Sequence, residues 1–596
     1  MCGIFGIVVE QEQPLGEILV EAGRRLSYRG YDSVGCATLH GNGTIDLRKD
    51  VGKVDEVAAQ LGFAEMAGQR GIIQLRWATF GAPSQVNAQP HLDSDGDLVG
   101  AHNGNVVNNV ELRQQFIAEG MTVRSTNDGE SCVHAVEQYV DQGYDMVEAI
   151  RHAYDDLEGD YAFAIGRVGE NRLYAFKKGS GLAVGLAEGA TCVSSDLPSI
   201  LPLTRRIMRV QDGEIVILRA DRVELRRVDD GSLVEREVEE ITESMEAAEK
   251  GGYLHFMLKE IHEQPGAARE LIHLLEASPH VSPMVERIAA ARHLYLVGCG
   301  TSYHACILGA VYLARLARRA AIPILAPQFI AQYGPAVGPE DVGVFVSQSG
   351  ETKDVLNAVE VAREQGMGIL GLINVLGSTL MNESERYLPL ACGYEISVPA
   401  TKTFTNQMVA LLFLALRMGG HSTEPLARLP ESLEDALTLV EPQVAVLEPA
   451  LASQDDLYCL GYGLTYPIAL EGALKLKEVT YAHCEGMLST EFKHGPLSAV
   501  YQGYPVIFVA GPEDVPLLVS GINETTCRGG RAVVIGEEDE RLRANAHDLI
   551  VLPQVGPLLN PLLATLPLQL LSYRLSLARG YDPDFPRNLS KTLTVD

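Results

Sequence analysis

The chain has 596 residues, 46% of them hydrophobic and 21% charged, an ordinary composition for a folded protein of about three or four domains. Lys and Arg number 48 against 78 Asp and Glu, and the resulting net charge of −30 argues against nucleic acid or an anionic membrane surface as a partner. Ten cysteines lie scattered without a CxxC pair, so neither a disulfide framework nor a zinc ribbon is indicated, and a reduced, cytoplasmic protein is expected.

The opening Met1-Cys2-Gly3-Ile4-Phe5-Gly6 puts a thiol directly behind the initiator methionine. Trimming of Met1 is expected before so small a side chain. Cys2 would then carry a nucleophile together with an α-amine of pKa about 8 to serve as its base. An ordinary buried thiol is the other reading of such a cysteine. The first residues have no basic segment followed by an apolar one, so no targeting segment is expected. The longest apolar run, Met408 to Leu416, falls far short of the ~20 residues that cross a bilayer and reads as a core helix.

From Cys2 to about Ala220, short apolar runs such as Gly71–Leu75 and Tyr161–Ile165 are separated by Gly, Asn and Asp, with helices interspersed, for example Val110 to Ala118. This pattern predicts an α+β domain. The Glu-rich stretch Arg226 to Lys250 reads as a hinge or linker with a solvated face, or else as an acidic segment that binds a partner. The remainder repeats itself: Leu294-Tyr295-Leu296-Val297-Gly298-Cys299-Gly300 resembles Leu457-Tyr458-Cys459-Leu460-Gly461-Tyr462-Gly463, an offset of 457 − 294 = 163. The same offset maps Tyr303 onto Tyr466 and Phe345-Val346 onto Phe508-Val509. A duplicated unit is therefore expected, each copy a doubly wound α/β domain on a parallel sheet.

The copies differ in their loops. After Val344-Phe345-Val346 the first reads Ser347-Gln348-Ser349-Gly350-Glu351-Thr352, whereas the second reads Ala510-Gly511-Pro512 at the same place. Small hydroxyl residues between a strand and a helix start are either N-caps or an anion cradle of hydroxyls, N–H groups and helix dipole. Pairing with Gly300-Thr301-Ser302, after the preceding strand, favours the cradle, because both loops would lie at carboxyl ends of parallel strands.

These motifs resemble the glutamine–fructose-6-phosphate aminotransferase family along the whole chain. The front half matches at Cys2-Gly3-Ile4, Tyr28-Arg29-Gly30-Tyr31-Asp32-Ser33, Arg76-Trp77-Ala78-Thr79, His102-Asn103-Gly104 and Asn127-Asp128. The back half matches at Cys299 to Tyr303, Ser347 to Thr352, Thr401-Lys402, Ala469 to Glu478, Lys493-His494-Gly495-Pro496 and Pro586 to Lys591. The resemblance implies an α+β N-terminal-nucleophile glutaminase domain over 2–220 and a linker over 221–280. Two α/β sugar-isomerase (SIS) domains with doubly wound parallel sheets would follow over 284–423 and 447–586, with a tail, 587–596, reaching the sugar site.

It also implies roles. Cys2 would attack the amide of L-glutamine, Asn103 and the Gly104 N–H would stabilise the oxyanion, Arg76 would clamp the substrate carboxylate and Asp128 its ammonium. Trp77 and Thr79 would line that site. Thr301, Ser302, Ser347, Gln348, Ser349 and Thr352 would hold fructose 6-phosphate, and Lys591 would form a Schiff base with the ketose. His494 would open the ring and Glu478 would move a proton between C1 and C2, with Lys475 beside it. Glu471, Lys475 and Glu478, at i, i+4 and i+7, form one helix face that is either this site or a surface ion-pair ladder. No metal, redox cofactor or pyridoxal is implied, and a homodimer is expected, because in the family His494 serves the neighbouring subunit.

Departures from the family pattern are Phe80 for His, Val107 for Glu, Gln89 for His in Asn-Ala-His-Pro-His, Ala400 for Ser and Thr490 for Gly. The product implied is D-glucosamine 6-phosphate. Alternatives are the same chemistry on another ketose phosphate, for which Ala400 is the one indication, or a sugar-phosphate sensor without catalysis. Retention of Cys2, Glu478, His494 and Lys591 argues against the sensor, because binding alone needs no nucleophile, base or Schiff-base lysine.

Overall fold

The computed structural model describes residues 2–78, 80–241 and 250–591, which fall into two compact units divided between residues 249 and 250. The first unit holds an eight-stranded and a seven-stranded sheet whose neighbouring strands pair antiparallel. Along the strand Gly3–Pro14, Ile4 and Val8 enter a core shared by both sheets, while Phe5, Ile7 and Val9 pack beneath the helix Gly16–Leu26. The second sheet alternates in the same way. Ala162 and Ala164 of the strand Gly159–Arg167 face the other sheet, and Tyr161, Phe163 and Ile165 lie under the helices Asp128–Asp141 and Met146–Asp156. Small residues inside and aromatic ones outside let two sheets stack closely between two helical layers, and burial on both faces explains the unbroken apolar runs.

The predicted end of this domain at residue 220 falls inside a hairpin. Glu214–Arg219 pairs with Arg222–Arg227, Leu233–Val234 extends that sheet, and Glu239–Glu240 pairs with Arg206–Arg209. The charged run read as a linker thus begins as edge strands, where charged side chains reach water and discourage further pairing. Nor does the predicted linker continue to 280: Phe256–Ala277 is a helix of 22 residues that buries Met257, Ile261, Ala268 and Leu271 in the second unit's core.

The second unit contains two five-stranded parallel sheets with one topology. The first runs in the order Ile322–Leu325, Leu294–Gly298, Val342–Ser347, Gly368–Ile373, Arg386–Pro389. The second runs His483–Leu488, Asp456–Gly461, Pro505–Val509, Arg531–Glu537, Asp548–Leu552. Both are the doubly wound order 2-1-3-4-5. Leu294 and Leu296 of the first sheet and Leu457 and Cys459 of the second face one common core, joined by the helices Gly300–Ala317, Lys402–Met418 and Asn560–Ala578. Tyr295 and Val297, and likewise Tyr458 and Leu460, face separate outer layers. The run Met408 to Leu416 is buried throughout, as a core helix should be. Among the described residues no helix is long and apolar enough to cross a membrane.

Candidate active sites

In the first unit, strand alternation brings three of the singled-out side chains to one face. Ile4, Ile72 and Ala101 point between the sheets, and counting onward by two reaches Arg76 and Asn103, counting back by two reaches Cys2. The register Gly3↔Leu75, continued one step, sets Cys2 opposite Arg76. Arg29 secures this end of the strand: its Nε donates to the Cys2 carbonyl at 3.2 Å and its Nη1 to Asp196 at 2.9 Å. Gly30 passes so close to the Arg76–Trp77 backbone that a Cβ would lie 2.7 Å from the Arg76 carbonyl carbon, and Asp32 then accepts the Ala78 N–H at 2.8 Å.

The Cys2 thiol lies 3.6 Å from the Trp77 carbonyl. Burial pushes the thiol pKa up and outweighs the opposing influences, among them the hydrogen bond to the Trp77 carbonyl and, more weakly, the Arg76 guanidinium. Arg76 spends Nη2 on the carbonyls of Phe80 and Gly81, but among the described residues its buried Nη1 has no partner. Asn103 is fully buried, and among the described residues neither its Oδ1 nor its Nδ2 has one either. An unmet buried polar group costs about 1–3 kcal/mol, so three such atoms beside a thiol mark a place for a polar ligand. Gly104 has φ +122°, and a Cβ there would meet the Asp160 carbonyl oxygen at 2.1 Å, so only glycine fits.

Asp128 opens the helix Asp128–Asp141, with Asn127 as the N-cap accepting the Gly129 N–H. Its Oδ2 accepts His102 Nε2 at 3.0 Å and the Val106 N–H at 3.1 Å, and its Oδ1 accepts Asn127 Nδ2 at 3.1 Å. Asp128 stands close enough to raise the Cys2 pKa and to oppose the lowering of Arg76 by burial. Trp77 is half-buried beside the cysteine, and Thr79 lies outside the described residues.

In the second unit, the loops after the paired strands Leu294–Gly298 and Val342–Ser347 emerge side by side where strand order reverses. Ser347 Oγ accepts the Gly350 N–H at 2.9 Å and Ser349 Oγ the Glu351 N–H at 3.1 Å, and both hydroxyls lie within 3.4 Å of Thr352 Oγ1. Gly350, at φ +67°, leaves no room for a Cβ, which would sit 2.1 Å from Ser378 Oγ. Thr352 is the N-cap residue of Lys353–Glu364 but makes no side-chain cap bond, which leaves the dipole of that helix open to an anion. The Gln348 carbonyl accepts the Asn374 and Val375 N–H groups, and Ser302 Oγ accepts Gln407 Nε2 at 2.9 Å.

The second copy reaches into this site through its helix Tyr466–Thr480. Glu471 and Lys475 are 1% exposed, so the i, i+4, i+7 face is an interior ion-pair network and not a surface ladder. Glu471 accepts Thr301 Oγ1 at 3.0 Å and pairs with His304 at 2.8 Å and Lys475 at 3.4 Å, while Lys475 Nζ lies 2.5 Å from Glu478. Burial raises the Glu478 pKa; Lys475 is the largest opposing influence, and Lys591 also lowers it. The Lys591 side chain is 5% exposed, and its Nζ donates to Glu395 at 2.5 Å. Burial alone would raise the Glu395 pKa, but Lys591 and the Thr401 and Thr403 N–H groups bring it down to about 2. The tail is guided there by Asp584, which accepts the Phe256 and Met257 N–H groups at the start of Phe256–Ala277.

The structure therefore assembles Cys2, Arg76, Asn103, Gly104 and Asp128 in one unit, and Thr301, Ser302, Ser347, Ser349, Thr352, Lys475, Glu478 and Lys591 in the other. His494 is exposed on the turn Phe492–His494 and, among the described residues, shares no hydrogen bond or ion pair with that cluster. Sequence reading passed over Glu395, His304 and Gln407, whose partners lie 196, 167 and 105 positions away.

Comparison with known proteins agrees with this division. A model of the glutamine amidotransferase domain matches residues 76–202, and one of the SIS domain matches 287–417 and again 450–579. Among solved structures, the C-terminal domain of glucosamine-fructose-6-phosphate aminotransferase from Francisella tularensis aligns with a TM-score of 0.51 at 31% identity, over 56% of this chain and 99% of that one. Curated relatives include the isomerizing glutamine–fructose-6-phosphate aminotransferases of Methanothermobacter thermautotrophicus, 42% identical, and Thermococcus kodakarensis, 38% identical, each aligned over 100% of both chains. At that identity over full length, the chain belongs to the isomerizing glutamine–fructose-6-phosphate aminotransferase family.

Proposed function

We infer that the chain transfers the amide nitrogen of L-glutamine to D-fructose 6-phosphate, giving L-glutamate and D-glucosamine 6-phosphate, the first step of hexosamine synthesis. The observation that carries the reading is a lysine with a buried side chain, Lys591, held by Glu395 within electrostatic reach of Glu478. In the first unit, Cys2 attacks the glutamine amide, its thiol proton passing to its own α-amine once Met1 is removed. Arg76 Nη1 and Asp128 take the substrate carboxylate and ammonium. Asn103 Nδ2 and the Gly104 N–H take the developing oxyanion, and the unmet hydrogen bonds of Asn103 fit that role. Ammonia leaves and the thioester is hydrolysed. Trp77 serves as a gate for ammonia, and Thr79 takes part in binding glutamine.

In the second unit, Thr301, Ser302, Ser347, Gln348, Ser349 and Thr352 hold the sugar phosphate. His494, from the neighbouring subunit of a homodimer, opens the ring. Lys591 attacks the C2 carbonyl and water is lost; ammonia then displaces the lysine. Glu478 takes a proton from C1 and returns it to C2, and a carboxyl whose pKa burial raises suits both directions. Lys475 balances its charge. The test supplies protein of verified Cys2 amino terminus with glutamine and fructose 6-phosphate, and quantifies glutamate and glucosamine 6-phosphate separately. Equal formation supports the reading. Glutamate without amino sugar would transfer the proposal to another ketose phosphate, and neither product would overturn it.

A further inference from the structure

The proton positions around Asp128 follow from one rule: a backbone N–H donates and never accepts. The His102 N–H points at Gln89 Oε1, 2.7 Å away, so that end of the amide is its oxygen. Gln89 Nε2 must then face His102 Nδ1, at 2.9 Å, and because the amide nitrogen only donates, Nδ1 carries a lone pair. The ring proton is left on Nε2, 3.0 Å from Asp128 Oδ2. A second branch closes by the same logic. The Gly129 N–H donates to Asn127 Oδ1 at 3.0 Å, so Asn127 Nδ2 donates to Asp128 Oδ1 at 3.1 Å. His91 Nε2, 3.0 Å from Asn127 Oδ1, must donate as well.

The space is reserved for this arrangement. Gln89 and Asp128 are fully buried and His102 is 1% exposed. A Cβ on Gly129 would lie 2.6 Å from Gln89 Oε1 and 2.7 Å from His102 Nδ1, so any other residue there would push the pair apart. Lys49 Nζ donates to the carbonyls of Ala88 at 2.5 Å and Pro90 at 3.0 Å, holding the peptide on both sides of Gln89.

We propose that Gln89 is a positioning residue that fixes His102 as its neutral, Nε2-protonated tautomer, so that His102 orients the Asp128 carboxylate for the substrate ammonium. The second half of this statement rests on the role given to Asp128 above; the tautomer does not. A carboxylate at position 89 would accept where the amide donates, drawing a proton onto Nδ1 and making His102 an imidazolium. A leucine there would leave the His102 N–H and Nδ1 unmet.

The experiment is 15N NMR of the full-length chain labelled at histidine, with His102 assigned from the signals lost in His102→Asn. The proposal expects an unprotonated Nδ1 and a protonated Nε2 in the wild type, and two protonated nitrogens in Gln89→Glu. Kinetically, Gln89→Leu should raise KM for glutamine about tenfold while kcat changes little. A wild-type proton on Nδ1 overturns the proposal, and so does an unchanged KM in folded Gln89→Leu. If that variant fails to fold, the wild-type and Gln89→Glu spectra decide. A wild type with the expected tautomer but no glutamine hydrolysis would overturn the function inferred above while upholding the tautomer.

Discussion

The two α/β copies of the second unit share a strand order, a common core and the spacing of their central strands, yet only the first presents an anion cradle. In the first, Ser347, Ser349 and Thr352 gather after the third strand in sequence. In the second, Ala510-Gly511-Pro512 follows the equivalent strand Pro505–Val509, and a Cβ on Gly511 would sit 2.7 Å from the Asp514 carboxylate, which would repel a phosphate. Thr465, the counterpart of Ser302, has its hydroxyl tied to the carbonyls of Tyr462 and Val509. What the second copy supplies is a helix: Glu471, Lys475 and Glu478 enter the first copy's site. Duplication preserved the architecture, which is set by buried apolar alternation, while the loops of the first copy and a helix of the second diverged in their polar residues.

That division can be broken one part at a time. The largest effect is expected from Glu478→Gln, which should lower amino-sugar formation by about 10²–10⁴-fold in kcat while fructose 6-phosphate still binds, as measured by titration calorimetry. Next comes Glu471→Gln, which removes the anion shared by Thr301, His304 and Lys475. Breaking a buried pair by removing one partner costs about 3–5 kcal/mol. Lys475 keeps Glu478, so the low end is expected, read as an earlier denaturation midpoint of the second unit.

A pH titration separates two buried ion-pair groups, one in each unit. Burial alone would lower the pKa of His134, but Glu130 and Glu137 raise it to about 8. Its contribution, about 2 kcal/mol, is therefore complete below the ordinary histidine value and lost as pH rises from 6.5 to about 8. Glu395 behaves oppositely: its pKa lies at about 2, so its stabilisation is present above the ordinary value of 4.5 and lost as pH falls towards about 2. Hydrogen exchange against pH should show the amides around His134 weakening as pH rises from 6.5 to about 8 and the amides around Glu395 weakening as pH falls from 4.5 towards about 2. The smallest effect is a matched pair: Ser349→Ala should raise KM for fructose 6-phosphate about tenfold, and Asp514→Asn in the second copy should leave it unchanged.

Much of this was legible in the sequence. The offset of 163 survives in the structure because the third and fourth strands of each copy begin at 342 and 505, and at 368 and 531. The alternation that carries Cys2, Arg76 and Asn103 to one face is likewise a local property of strands. Pairings across long separations were not legible: nothing near Glu395 announces Lys591, and nothing near Gln89 announces the ring nitrogen it orients. Charged strands near a sheet edge such as Arg222–Arg227 read as linker because most of their side chains face water while their backbones join the sheet.

On the function inferred above, each chain has one sugar site, built on the first copy and closed by Lys591. Reduction with borohydride in the presence of fructose 6-phosphate, followed by peptide mass spectrometry, tests it most directly. The account predicts one reduced adduct per chain, on Lys591, and its loss in Lys591→Arg. An adduct on Lys402 or Lys475, two adducts per chain, or none under turnover conditions would contradict it.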